Sequence, residues 1–206
     1  MSQTSVRSAP WTALAVTFFV AMSVALPIVQ RGHYDVPSQT ISELALGSWG
    51  WLQNLAFCML GAGTLFLAVQ VRRVVDARVA PVLLIVAGVL DVVSALFHAV
   101  RMGQPQTTTS MIHTAAGIGT FILTYVAMFS LVRPLRADPR TRSFATPTMI
   151  WAILSVLSFL ICAPPVVGQS HFGIGQRLMA ATFMAWIFAI SCVVARVAAQ
   201  AQETPL

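Results

Sequence analysis

Along this chain the polar residues are grouped, and between the groups lie six long runs in which apolar residues follow one another without alternation. The runs cover approximately residues 11–29, 49–71, 81–100, 111–132, 148–167 and 174–197. A helix needs about 20 apolar residues to cross a hydrocarbon layer about 30 Å thick, and each run has that length. Unbroken runs predict helices, because a barrel strand would be about half as long and would alternate. The expected fold class is therefore all-α: a polytopic membrane protein forming one six-transmembrane-helix bundle over residues 1–206. Pro164-Pro165 should end or kink the fifth run. The first run is read as a retained helix rather than a secretory signal, since it is long, only Arg7 precedes it, and no clear A-x-A site follows.

The first loop carries a local signal of its own. Thr40-Ile41-Ser42-Glu43 has the spacing of a capping box, in which the threonine hydroxyl takes an orphan backbone N–H and the glutamate reaches back to the cap's own N–H. Ile41, Leu44 and Ala45 then share a face and Gly47 can stop the turn, so a short interfacial helix over 38–46 is expected in the first outer loop, lying against the bundle. On this reading a structural role for Glu43 stands beside a ligand role.

Composition agrees with a bilayer. With 57% hydrophobic residues, 9% charged and a mean hydropathy of +0.81, the chain has too little polar surface to wrap a soluble globule, a disordered chain or a disulfide-stapled secreted domain. The net charge of +6 comes from twelve arginines and no lysine against six acids. The arginines lie mostly at the ends of apolar runs and form no basic-aromatic stripe, so lipid and not nucleic acid is the expected partner. Nine of them (Arg7, Arg72, Arg73, Arg78, Arg133, Arg136, Arg140, Arg142 and Arg196) fall on the side of the termini, against Arg31, Arg101 and Arg177 on the other. The positive-inside rule then puts both termini in the cytoplasm. Trp11, Trp49, Trp51 and Trp151 fall near segment ends, as an aromatic belt would, and Trp186 lies mid-helix. Small residues suited to helix packing are Gly61 and Gly63 in the second helix and Ala115 and Gly119 in the fourth. Cys58, Cys162 and Cys192 each lie alone in an apolar run and are read as packing residues.

With this topology all four histidines, His33, His98, His113 and His171, fall at or near the outer face with Tyr34, Asp35, Glu43, Arg31, Arg101 and Arg177. Any site should open outward. Asp91 is the acid at membrane depth, near the middle of the third run, where an ionisable group is costly unless paired, protonated or hydrated. Ser94 and His98 follow at i+3 and i+7, so Asp91, Ser94 and His98 would line one helical face as a proton relay; the other reading is a protonated Asp91 acting as polar glue between helices. His113 falls in the first turn of the fourth helix, where the positive dipole end favours a neutral ring able to ligate metal or accept a proton.

The stretch 38–44 with Gly47 and Gly50-Trp51, the third run ending in Phe97, Ile112-His113 with Gly117, and Gly175-Gln176-Arg177 together resemble the bacterial six-helix membrane family called domain of unknown function 998. The resemblance covers nearly the whole chain and implies six helices in a prokaryotic cytoplasmic (inner) membrane, with no established reaction. The polar positions it carries over are Ser38, Thr40, Glu43, His113, Gln176 and Arg177. Where the family pattern has an acidic turn after Phe97, this chain has His98 and later Arg101, which puts any role of that acid in doubt here.

Four functions compete. The first is binding or transport of a small amphiphilic or anionic ligand in an outward cavity lined by Glu43, His113, Gln176 and Arg177, with Ser38 and Thr40 beside them. The second is an accessory subunit contacting another membrane protein or a second copy. The third is a metal-dependent hydrolase: Asp91, Ser94 and His98 are similar to the seven-helix ceramidase and receptor-like hydrolase superfamily, although this chain has six helices and no His-x-x-x-His pair, and His98, His113 and His171 are the residues that would hold zinc. The fourth is a haem carrier, which would need paired histidines on facing helices. The sequence favours the first, expects no cofactor, and leans away from an enzyme.

Overall fold

A computed structural model describes residues 9–203, so Arg7 lies outside the described residues. Six long helices are present: α1 (Ala9–Val29), α2 (Gly50–Val74), α3 (Val79–Leu96), α4 (Thr108–Ala137), α5 (Ala145–Ile161) and α6 (Phe172–Glu203). All six are long and apolar enough to cross a membrane, and no strand occurs among the described residues. Each helix packs on its chain neighbours, α6 returns to α1, and α6 also touches α2. Since the helices alternate in direction, one end of the assembly carries His33, His98, His113 and His171 (the histidine end), and the other carries Arg72, Arg73, Arg78, Arg133, Arg136, Arg140 and Arg142 (the arginine end).

The pattern of burial is that of a protein dissolved in lipid. Large apolar side chains such as Leu14, Phe66, Val89, Ile122, Leu157 and Phe188 point outward, while Thr12, Gln53, Thr64, Asp91, Ser94, Thr120, Thr124 and Ser155 are buried inside. Lipid tails are as apolar as leucine, so helices gain little by hiding apolar surface; close packing and internal hydrogen bonds must hold them together. Close packing is tightest between α2 and α3. A Cβ on Gly61 would stand 2.5 Å from the Gly88 carbonyl oxygen, and one on Gly88 would stand 2.7 Å from that of Gly61. Gly63 meets α1, where a Cβ would be 2.7 Å from that of Ala15 and where Thr12 Oγ1 donates to the Gly63 carbonyl at 2.8 Å. Gly119 faces Leu90, while Ala115 is exposed. Trp186 is fully buried and donates from Nε1 to Thr148 Oγ1 at 3.3 Å.

Helix ends differ from the sequence expectation in ways that matter for the site. α3 stops at Leu96 rather than near residue 100, because Phe97 turns extended (φ −106°, ψ 126°) and caps it. Asp91 is therefore five residues from the helix end, roughly 8 Å along the axis, and not at its middle. His98 lies beyond the helix and shares no helical face with Asp91 and Ser94. α4 starts earlier than expected, at Thr108, with Thr107 and Ser110 forming a capping box that was not anticipated. α5 ends at Ile161: Ala163, preceding a proline, is extended, and Pro164-Pro165 open a separate single helical turn, Pro164–Val167. The short helix of the first loop is a 3₁₀ helix, Ile41–Leu46, and its Ile41, Ser42, Glu43 and Leu44 are buried, so it is tucked among the helices rather than lying on them.

Candidate functional site

The site is built where the first loop is drawn into the histidine end. Thr40 and Glu43 form the expected capping box: Glu43 N–H donates to Thr40 Oγ1 at 3.3 Å, and Thr40 N–H to Glu43 Oε1 at 3.2 Å. Gln39 Nε2 donates to the other carboxylate oxygen at 3.0 Å, so the buried Glu43 is held from both sides. Gln30 anchors the far end, donating from Nε2 to the carbonyls of Leu44 and Ser48 at 3.0 and 2.9 Å. From α6, Gln176 Oε1 accepts the Ile41 N–H at 2.7 Å, and the Ile174 N–H donates to Pro37 O at 3.2 Å. Gly173 permits that approach, since a Cβ there would collide with the carbonyls of Val36, Pro37 and Gln39.

Arg177 completes the fastening. Its NH1 group donates to the carbonyls of Val36, Gln39 and Gly173 at 3.2, 3.0 and 2.9 Å, and its NH2 group donates to the Tyr34 phenol oxygen at 2.6 Å. The Tyr34 hydroxyl passes its own proton on to Gln39 O and Thr40 O, at 2.9 and 2.7 Å. Arg177 is thus a clamp on loop carbonyls, and it lines neither cavity described below. Burial pushes the Tyr34 phenol above its usual pKa, with Arg177 pulling the other way. The fold favours the neutral phenol, so its contribution is complete below the unfolded value of about 10 and is lost as pH rises through the folded one. Subtracting the alkaline absorbance titration of Tyr34→Phe from that of the wild type should give a midpoint above that of free tyrosine. A midpoint equal to free tyrosine would contradict the buried clamp.

Behind the loop lie two cavities. The inner one, about 60 Å³, is lined by Asp91, Ser94, Thr120 and His113 together with Phe19, Phe57, Leu60 and Phe183. The larger one, a vestibule of about 450 Å³, lies among Thr40, Ser42 and Glu43 of the first loop, α4, the end of α5 and the start of α6. Its walls are mostly apolar (Val100, Met102, Ile118, Phe159, Phe172, Met179), and it reaches exposed Gly103, Gln106 and Gln169 at the rim. Ser42, His113, Gly117, Phe121 and Gln176 line both cavities, which therefore adjoin at a shared boundary, the neck.

His113 is the only histidine of the four that enters the interior; His33, His98 and His171 are exposed. Its Nδ1 faces the carbonyl oxygens of Ser94 and Phe97 at 2.8 and 2.9 Å. Carbonyls only accept, so Nδ1 carries a proton and Nε2, on the other side of the ring, is left to the cavities. The ring packs edge-on against Phe57. Since α4 begins at Thr108, His113 lies beyond its first turn, and the α3 carbonyls rather than the helix dipole fix its state. Thr120 Oγ1 donates to the Ala87 carbonyl at 3.3 Å, the Asp91 side chain is buried in the same lining, and the Ser94 hydroxyl, 3% exposed, has no partner.

The structure thus brings Asp91, Ser94, His113 and Gln176 to one pair of cavities, with Thr40 and Glu43 at the vestibule wall. It leaves out His98, Arg177 and Ser38, the last bonded to Asp35 Oδ2 through its N–H and its hydroxyl, at 3.3 and 2.5 Å. His171 bonds its neighbour Ser170 instead, and among the described residues no three His, Cys, Asp or Glu converge on a metal position. Thr120, Ser42 and Gln30 were not singled out from the sequence. Thr120 was within reach of it, being at i+7 from His113 and i+3 from Gly117 on one helical face.

Six membrane-length helices, with no strand among the described residues, define a multi-pass, all-α membrane protein. Within that class the chain belongs to the family described as "Protein of unknown function (DUF998)", which matches residues 13–193. No curated protein and no solved structure matches the chain at a significant level.

Proposed function

We propose that this protein binds a small amphiphile, its chain in the apolar vestibule and its polar head at the neck and inner cavity, and holds or moves it on the side of the membrane facing away from the cytoplasm. The observation that carries the reading is a mostly apolar vestibule of about 450 Å³ adjoining a cavity of about 60 Å³ whose lining gathers Asp91, Ser94, His113 and Thr120, with five residues lining both. The arginine asymmetry between the two ends supports an outward histidine end in a prokaryotic cytoplasmic membrane. The lining holds Asp91 and Glu43 and no arginine, which favours a neutral or cationic head over an anionic one. A catalytic zinc takes three protein ligands, and only Asp91 and His113 of the metal-binding residue types line the inner cavity. An accessory subunit would have no use for the cavities.

Gly117 supplies the test. It lines both cavities, and a Cβ there would meet nothing within 4 Å, so the Gly117→Phe side chain starts into open space and should fill the boundary between them. Native mass spectrometry of gently purified protein should show a co-purifying amphiphile on the wild type and on Gly117→Ala, and none on Gly117→Phe at an unchanged thermal midpoint. Equal occupancy of all three would sink the proposal.

A further inference from the structure

We propose, resting on that binding reading, that the inner cavity receives a primary ammonium group as the head of the bound amphiphile. The polar groups lining it include three acceptors, the Asp91 carboxyl, the partnerless Ser94 hydroxyl and the Nε2 of His113, whose other nitrogen is already committed to carbonyls, beside the hydroxyls of Ser42 and Thr120 and the Gln176 amide. Among the described residues no arginine lines either cavity, and the chain has no lysine, so the described lining offers no cation to Asp91. An ammonium group carries three N–H donors, a hydroxyl one and a trimethylammonium none, and three acceptors here match the first. Ammonium and carboxylate are neutral as a pair, which suits a buried acid among membrane-length helices. The buried, unpartnered Ser94 hydroxyl is the independent sign that something is expected there, since such groups are normally satisfied.

The experiment uses the full chain in phosphatidylcholine nanodiscs and measures the affinities of dodecylamine, dodecyltrimethylammonium, dodecanol and dodecanoate, with propylamine as the tail-less control. Dodecylamine should bind at least about tenfold more tightly than the other three, since charge-assisted hydrogen bonds are roughly twice as strong as neutral ones. Asp91→Asn, close to isosteric, should erase that preference while leaving dodecanol binding intact, and Ser94→Ala should reduce it in part. Equal binding of all tailed probes, still abolished by Gly117→Phe, overturns the ammonium assignment and leaves the amphiphile reading standing. A preference that survives Asp91→Asn overturns the assignment as well. Binding of every probe that ignores Gly117→Phe fails the amphiphile reading itself. Propylamine binding as tightly as dodecylamine keeps the ammonium site but removes the amphiphile as its carrier.

Discussion

Gly88→Leu should strongly destabilise the fold, while Gly117→Leu should leave it intact. The two glycines differ in what an added side chain would meet. At Gly88 a Cβ stands 2.7 Å from the Gly61 carbonyl oxygen and 3.0 Å from Leu65 Cγ, and the carbonyl belongs to backbone that cannot swing aside. To admit leucine, α2 and α3 must separate over their most extensive contact, losing the dispersion that replaces hydrophobic drive in lipid. Overpacking of this kind reaches the upper end of its usual range, about 3 kcal/mol or more. For a chain of this size that corresponds to a fall in thermal midpoint of roughly 6 °C or more. At Gly117 the space is open, and replacing a helical glycine gains roughly 0.5–1 kcal/mol of propensity. Size-exclusion monodispersity and thermal midpoints in one detergent decide the matter; equal midpoints for the two variants would refute the close approach of α2 and α3.

The second large effect is expected of Arg177→Met. The change removes four donated hydrogen bonds at once and leaves the Val36 and Gln39 carbonyls and the Tyr34 phenol without their cation. Hydrogen bonds to a charged group contribute about 1.5–3 kcal/mol each, and part of the loss is recovered from water at this half-buried position, so a net cost of about 3 kcal/mol is expected. Arg177→Lys should not restore it, because one ammonium cannot span the carbonyls and the phenol that the guanidinium fork reaches together. The readouts are the thermal midpoint and the rate of proteolysis within residues 31–39. Faster cleavage of that segment is expected in both variants, and wild-type rates would show that Gln176 and Gly173 hold the loop without the clamp.

The sequence revealed some of these features and hid others, for physical reasons. Runs of about 20 apolar residues have few alternatives to a membrane-crossing helix, so all six helices could be read directly. Their ends could not: Phe97 continues the apolar run that includes Leu96, and only its extended backbone ends α3, which is why His98 was expected beside Ser94 and is instead outside. The capping box at Thr40 and Glu43 is local and was legible. The role of Arg177 was not, because two of its three partners on the first loop are main-chain oxygens 138 and 141 residues away, and a carbonyl is the same at every residue. The same holds for Gln30 and for the Nδ1 of His113. The face His113, Gly117 and Thr120 was written in helical spacing, and it becomes meaningful once Asp91 is known to stand opposite.

The fastenings that join the first loop to α6 tie a segment made early in synthesis to a helix made much later. Gln176 meets Ile41 at a separation of 135 residues, and Arg177 meets Gln39 at 138. Until α6 has left the ribosome and entered the bilayer, the loop has neither its clamp nor its N–H acceptor, and the vestibule lacks a wall. The vestibule is therefore closed only once α6 is in place, and a chain stalled before α6 would present a bilayer-inserted protein with its polar interior unclosed.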